Sequence, residues 1–112
     1  NTVKKMQEEF GTNAAGLIAF MGPAISRKNF EVDEDVAGMF PAAYTSPKPD
    51  GAGKFIVDTG QMVFDQLMHA GVNAANIERC SYCTFDSSEH LHSYRRDKHL
   101  SGRMFAVIGM KP

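Results

Sequence analysis

The spacing of apolar and polar positions predicts alternating helices and strands in the first part of the chain. Residues 2–10, TVKKMQEEF, place three apolar side chains on one helical face with the charges opposite, which predicts an amphipathic helix. The apolar run 15–22 ends in a Gly-Pro pair and suits a buried strand. A short strand at 30–32 and a short helix at 33–40, with acidic residues at its N-terminal end, are predicted next.

Turn-forming residues mark the middle of the chain. The stretch 45–53 contains two prolines and two glycines and predicts a surface loop. KFIVD at 54–58 predicts a strand, and a helix over about 60–69 follows it. Asp58 with Gln61 three residues later is typical of a residue pair that caps the N-terminus of that helix.

Extended segments predominate in the last third of the chain. The segments 76–82, 91–96 and 104–110 are predicted to be extended, and an irregular acidic stretch, 84–90, separates the first two. This order of helices and strands favours an α+β fold, a layered α/β sandwich with a mixed sheet, over a doubly wound parallel sheet.

Composition limits the classes of protein that fit. With 112 residues, 43% of them hydrophobic, the chain predicts a single domain with a buried core. Twelve basic and 13 acidic residues give a net charge of −1, which favours neither a nucleic-acid nor a membrane surface as partner. The apolar runs are too short to span a bilayer, and residues 1–12 lack the apolar core of a signal peptide. Two cysteines are too few for a disulfide framework, which predicts a reducing, cytoplasmic setting.

The stretch CSYCTFDSSEHLHSYRRD, residues 80–97, holds the densest candidate chemistry. Its cysteines and histidines allow three interpretations: a structural zinc site, a redox-active CxxC dithiol, or a thiol buried in a strand with a second in a loop. Zinc prefers four converging ligands in two pairs, and here only the C-x2-C pair has suitable spacing. A CxxC dithiol works at the N-terminus of a helix, and none is predicted here. The residues that enter these interpretations are Cys80, Cys83, His90 and His92.

The two adjacent arginines of SYRRD are candidates for anion binding. On an extended segment Arg95 and Arg96 leave on opposite faces, so one can meet a pocket while the other pairs with an acid such as Asp97. A solvated arginine pair remains the alternative.

Several blocks of the sequence resemble one family. GPAISRKNFEV, GKFIVD, LMHAGV and CSYC…LHSYRRD…SGRMFAVIGM occur in this order and resemble the C-terminal half of the YfiH-like family, also called the laccase-domain or polyphenol oxidase family. The resemblance covers nearly the whole chain, and SYRRD followed by GRM is its most specific part. It implies that residues 1–112 are the C-terminal part of a single domain built from two halves.

The resemblance also implies where the metal lies. Family members bind zinc, or copper in the polyphenol oxidase interpretation, through two histidines and a cysteine that precede this stretch, one of them in an HAGWRG block that is absent here. It therefore implies that this chain holds no metal and that the missing N-terminal half is its partner. By this comparison Cys80, Cys83, His90 and His92 are not ligands.

The activity that the resemblance implies is purine nucleoside phosphorolysis. The complete protein would convert inosine or adenosine and phosphate to a base and ribose 1-phosphate, with adenosine deamination or polyphenol oxidation as additional activities, whereas this chain alone would be inert. The residues expected to contact nucleoside or phosphate are Arg95, Arg96, Tyr94, Gly22 and Pro23. The alternative is a non-catalytic binding or assembly domain.

Overall fold

The N-terminal helix forms where the apolar pattern predicts it. In the computed structural model, which describes residues 1–49 and 53–111, α1 spans Thr2–Phe10. Gly11 ends it with φ 63°, a left-handed conformation that glycine adopts without strain. None of the residues of α1 is fully buried, so the helix lies on the surface of the described fold.

Eight further helices and strands follow α1 within the described residues. They are β1 (Ala19–Met21), β2 (Glu31–Asp33), α2 (Glu34–Ala37), β3 (Thr45–Pro47), β4 (Lys54–Val57), α3 (Thr59–His69), β5 (Ile77–Arg79) and α4 (Tyr94–Asp97). β1 and β5 pair in parallel, with Ala19 opposite Ile77. The other three strands form an antiparallel sheet in the order β2-β4-β3.

The predicted α+β class is therefore confirmed. Parallel and antiparallel pairing both occur, and within the described residues they are divided between two sheets. A parallel pair needs a long crossover, and the chain from β1 to β5 supplies it with the antiparallel sheet and α3. No helix in the described ranges is long and apolar enough to cross a bilayer.

The core lies between the antiparallel sheet and α2. Val32, Ala37 and Val57 are buried, and Val57, in the central strand β4, has no exposed surface. Phe30 and Phe40 pack beside them edge to face, with their ring centroids 6.4 Å apart. This packing fixes the start of α3, because Asp58 follows Val57 directly.

The predicted cap of α3 is present. The Asp58 carboxylate accepts a hydrogen bond from the Gln61 N–H at 3.0 Å, which satisfies one of the free N–H groups of the first turn. The helix begins at Thr59, one residue before the predicted start.

The strand predicted over 15–22 is wrong over most of its length. The Asn13 side chain accepts a hydrogen bond from the Ala15 N–H at 3.1 Å and starts a 3₁₀ turn at Ala14–Gly16. Only β1 remains as a strand, and Phe20 within it is 65% exposed.

The loop predicted over 45–53 is also only partly correct. Its first residues form β3, which pairs with β4, and Pro47 is tolerated because β3 is an edge strand. The part of the prediction that covers 50–52 lies outside the described residues.

The extended segment predicted over 91–96 is contradicted, since α4 occupies its end. The Ser93 hydroxyl accepts a hydrogen bond from the Arg96 N–H at 3.3 Å and caps the short helix. N-terminal capping by serine stabilises this helical turn in place of the extended conformation.

The predicted last strand, 104–110, is absent as well. In the described part of the chain this segment has no regular structure and pairs with no strand. Phe105, Val107, Ile108 and Met110 are each more than 90% exposed.

Candidate functional site

A cavity of about 270 Å³ opens where β1 and β5 end. The two segments stay paired beyond the strands, because Cys80 N–H donates to the Met21 carbonyl at 2.8 Å and Cys83 forms a parallel bridge with Ala24. Ligands of parallel sheets bind beyond the carboxyl ends of the strands, which is the position of this cavity. We call it the β1–β5 cavity; its lining residues with polar, charged or thiol side chains are Ser26, Arg27, Asp58, Arg79, Cys80, Ser81, Tyr82 and Cys83.

A chain of hydrogen bonds holds Arg79 at this cavity. Arg79 Nη1 donates to Gln61 Oε1 at 3.1 Å, and Gln61 Nε2 donates to Asp65 Oδ1 at 2.9 Å. The Tyr44 hydroxyl donates to the other oxygen of Asp65 at 2.7 Å. The four side chains come from β5, α3 and the turn before β3, so the fold itself brings them together.

Asp65 is the negatively charged residue of this hydrogen-bond chain. Hydrogen bonds from Tyr44 and Gln61, with smaller contributions from the charges of Arg79 and His69, lower the pKa of the carboxyl. The hydrogen bond to Asp65 raises the pKa of the Tyr44 phenol. At neutral pH the carboxylate is therefore ionised and the phenol is a neutral donor.

Gly60 allows Arg79 to approach α3 closely. A Cβ atom at this position would lie 2.8 Å from Arg79 Nη2, which is too close for any non-glycine residue without displacing the guanidinium. The guanidinium carbon also lies 5.6 Å from the centroid of the Phe64 ring, a cation–π distance. The ring contact and the hydrogen bond to Gln61 restrict the conformations open to Arg79.

Cys83 presents a thiol that ionises easily. Its sulfur accepts hydrogen bonds from the Ser26 N–H at 3.2 Å and the Asn29 amide at 3.4 Å. Burial by itself raises the pKa of the thiol. Hydrogen bonds from Ser26, Asn29 and the Asp86 backbone act in the opposite direction, and the pKa falls to about 7.

We expect alkylation of Cys83 by iodoacetamide to reach half its maximal rate at about pH 7, because the thiolate is the nucleophile. Mass spectrometry of the modified peptide across a pH series measures this. Asn29→Leu removes one of the hydrogen bonds and should move the midpoint upward, while Cys83→Ser reports the background reaction at Cys80. A Cys83 midpoint near the ordinary thiol value of about 8.5 would contradict the assignment.

The described residues do not fit a zinc or copper centre. Within residues 1–49 and 53–111 there is no group of three or more His, Cys, Asp or Glu side chains that could hold a metal ion. Cys80, Cys83, His90 and His92 therefore do not converge as a zinc site would require. Cys83 is not at the N-terminus of a helix either, so its low pKa has a different origin from that of a CxxC dithiol.

Arg96, one of the predicted anion ligands, has all of its N–H donors hydrogen-bonded within the protein. Nη1 donates to the carbonyls of Thr84 and Phe85 at 2.8 and 2.9 Å. Nη2 donates to the Leu91 carbonyl at 2.8 Å, and Nε and Nη2 bind the Asp97 carboxylate at 3.0 and 2.7 Å. A guanidinium has five N–H donors, and these bonds use all of them.

Arg95 lies on a different surface. Its Nη1 donates to the Glu31 carbonyl at 2.8 Å, and its guanidinium carbon is 5.3 Å from the centroid of the Phe30 ring. The two arginines do diverge as predicted, but the cause is a helical turn and not an extended strand.

The other predicted site residues are not brought together. Gly22 lines the β1–β5 cavity, and Pro23 follows it on the exposed loop. Tyr94 is 71% exposed and faces a separate shallow cleft with Lys98 and Arg103. The five predicted residues thus occupy several places, and only Gly22 belongs to the lining of the β1–β5 cavity.

Sequence reasoning missed Arg79, Gln61, Asp65 and Tyr44. The usable signal was the position of Arg79 at the end of a short β-type segment, next to Cys80. That signal becomes specific only once β5 is known to pair in parallel with β1, which no local pattern states.

The fold and the cavity define an α+β domain with a polar site at the end of a parallel strand pair. The family model described as multi-copper polyphenol oxidoreductase laccase matches residues 1–111, and the chain belongs to this family. The resemblance to this family is thereby confirmed, though not to its C-terminal half, and relatives and neighbours that carry the names YfiH and YlmD agree with the family assignment.

The chain is similar to curated proteins named purine nucleoside phosphorylase. It is 30% identical to one from Bacteroides thetaiotaomicron over 96% of this chain and 42% of that protein. It is 32% identical to purine nucleoside phosphorylase YfiH of Escherichia coli over 88% of this chain and 41% of that protein. The chain thus spans about two-fifths of the length of these relatives.

Solved structures show the same fold over a similar share. YlmD from Geobacillus stearothermophilus superposes with a TM-score of 0.75 at 25% identity, covering 90% of this chain and 39% of that one. The Bacillus licheniformis hypothetical protein YfiH superposes with a TM-score of 0.74 at 26% identity. The position of this chain in the C-terminal half of the family domain stays a prediction.

Proposed function

We propose that this chain forms the substrate-binding cavity of a purine nucleoside phosphorylase. The observation that carries the proposal is the β1–β5 cavity, which combines two arginines, Arg27 and Arg79, with the exposed ring of Tyr82. Phosphate requires such cations, and a purine requires an aromatic or apolar face. The names of the relatives support the same reaction.

For this reaction the cavity has to bind phosphate and the nucleoside together, with the phosphate opposite the bond that breaks. In phosphorolysis an oxygen of hydrogen phosphate bonds to C1′ of the ribose while the bond from C1′ to the base nitrogen breaks, and that nitrogen takes up a proton equivalent to the one the phosphate loses. Arg27, whose Nη2 donates to the Ser46 hydroxyl at 2.6 Å, and Arg79 supply positive charge for the phosphate. Tyr82, 61% exposed, supplies a face for the base.

The predicted site residues receive different parts in this proposal. Gly22 and Pro23 shape the rim of the cavity. Arg96 stabilises the fold and does not bind phosphate, because its donors are taken. Tyr94 and Arg95 lie on other surfaces, and we assign them no contact with a substrate in the cavity.

The family description names copper for its members. A zinc or copper ion, when bound, would polarise a substrate or activate water. Because the described residues do not fit such a centre, we place it in the remainder of the family domain. Deamination of adenosine and oxidation of phenols are further activities that such a centre could support.

The second candidate is a binding or assembly domain. The observation that favours it is the exposed apolar segment 104–110, since contiguous apolar surface of this kind marks contact sites. We propose that its partner is the remainder of the family domain, because the relatives extend well beyond the length of this chain.

The test is release of hypoxanthine from inosine by a protein of the relatives' length that contains this chain. We expect a rate that saturates with phosphate and falls on treatment with a chelator, and no turnover by the 112-residue chain alone. Base release that is independent of phosphate would make the protein a hydrolase. No release by any metal-loaded preparation would favour the assembly role.

A further inference from the structure

We propose that Arg79 is the phosphate-binding side chain of the β1–β5 cavity and that Gln61, Asp65 and Tyr44 are positioning residues that aim it. The inference deepens the proposed function and rests on it for the identity of the anion. It assigns the anion site to an arginine outside the SYRRD stretch.

Arg79 has donors available for an anion. It lies in the cavity lining at the end of β5, and one of its five N–H donors binds Gln61. Within residues 1–49 and 53–111 it makes no ion pair with a carboxylate, in contrast to Arg96, which is bound to Asp97. Arg79 therefore combines a full positive charge with donors that can form the two-pronged contact phosphate prefers.

The N–H donors of Arg79 are held in a defined orientation. Gln61 fixes one edge of the guanidinium, the Phe64 ring lies beside it, and Gly60 leaves room for Nη2. An arginine held by a hydrogen bond and a ring contact loses less conformational entropy when it binds a ligand than one that moves freely. Asp58, the carboxylate in the same lining, already accepts a hydrogen bond as the cap of α3.

Asp65 sets the direction of donation along the hydrogen-bond chain. The Asp65 carboxylate only accepts, so it takes the amide NH₂ of Gln61 and leaves the Gln61 carbonyl facing Arg79. In Asp65→Asn the new amide can donate to Gln61, which would turn the Gln61 NH₂ toward the guanidinium, and two donors would then face each other. The side chain of residue 65 thus sets the position of Arg79 without touching the substrate.

The experiment uses the protein of the relatives' length that contains this chain. It measures binding of inorganic phosphate by NMR titration, and separately the phosphate and inosine KM values of phosphorolysis. We expect Arg79→Lys to weaken phosphate binding by about tenfold or more, because lysine keeps the charge and loses the planar fork. Asp65→Asn should raise the phosphate Kd and phosphate KM by about three- to tenfold and leave the inosine KM within about twofold. Tyr44→Phe, which removes one donor to Asp65, should act in the same direction more weakly.

Arg95→Lys is the matched control. Arg95 also makes one hydrogen bond and lies over a phenylalanine ring, but on another surface, so phosphate affinity should stay within about twofold of the parent. Equal losses in the Arg79 and Arg95 variants would overturn the assignment, and so would unchanged affinity in Arg79→Lys. An Asp65→Asn variant that melts earlier but binds phosphate normally would overturn the positioning role.

Failure of the proposed function gives a different result. If phosphate binds in an Arg79-dependent manner but inosine is not cleaved, the anion site stands and the phosphorylase proposal falls. If the parent protein binds no phosphate at millimolar concentrations, the inference itself is wrong.

Discussion

Arg96→Lys is expected to lower the melting temperature by about 5–10 °C, whereas Arg95→Lys should change it by less than about 2 °C. Arg96 joins the carbonyls of Thr84, Phe85 and Leu91 to α4 through one planar group, and its side chain is only 18% exposed. A lysine has three donors on a single nitrogen and cannot reach acceptors on opposite sides. At least one carbonyl is left without its partner.

Thermal unfolding followed by circular dichroism measures the difference between the two variants. Arg95 is the matched control because it is adjacent in sequence, lies in the same helix and is bonded to one carbonyl only. Equal melting temperatures for the Arg96 and Arg95 variants would mean that the segment from 84 to 91 is held by other contacts. The SYRRD arginines would then have no distinct structural and surface roles.

The two arginines also show why the site was only partly predictable. The sequence marks Arg95 and Arg96 as a pair, and a local pattern cannot tell which one has its donors occupied. The acceptors of Arg96 are mainly backbone carbonyls, which every residue carries and no sequence signal identifies. Arg79 was missed for a different reason: its role depends on the pairing of β1 with β5, whose paired residues are 58 positions apart in the sequence.

Two of the element predictions that held were decided within a few residues. The amphipathic spacing of α1 and the Asp58–Gln61 cap of α3 depend on contacts along one turn, and both are present. The prediction for 91–96 failed for a local reason too, since Ser93 caps a helical turn within that segment. The composition of the segment alone could not decide between a helical turn and an extended conformation.

The segment 104–110 failed as a predicted strand because strand formation needs a partner as well as a suitable composition. MFAVIGM is apolar on both alternating faces, which is typical of a strand buried on both sides of a sheet. In the described residues no neighbouring strand offers it hydrogen bonds. Its apolar side chains are therefore exposed to solvent, where a hydrophobic dye can bind them.

The double variant Phe105→Asp with Ile108→Asp is expected to reduce binding of a hydrophobic dye such as ANS to the 112-residue chain by about threefold or more. Phe105 and Ile108 are 92% and 100% exposed and lie within one continuous apolar segment, which is what the dye requires. The far-ultraviolet circular dichroism should not change, because the segment has no regular structure to lose.

Phe10→Asp with Ile18→Asp is the control for this variant. Those side chains are 78% and 85% exposed, but they are separate apolar positions, and single exposed apolar residues are ordinary features of protein surfaces. Their replacement should leave most of the dye fluorescence intact. If instead both double variants lose the same fluorescence, the dye reports general exposure across the chain. The segment 104–110 would then not be a specific contact surface, and the assembly role proposed for it would lose its support.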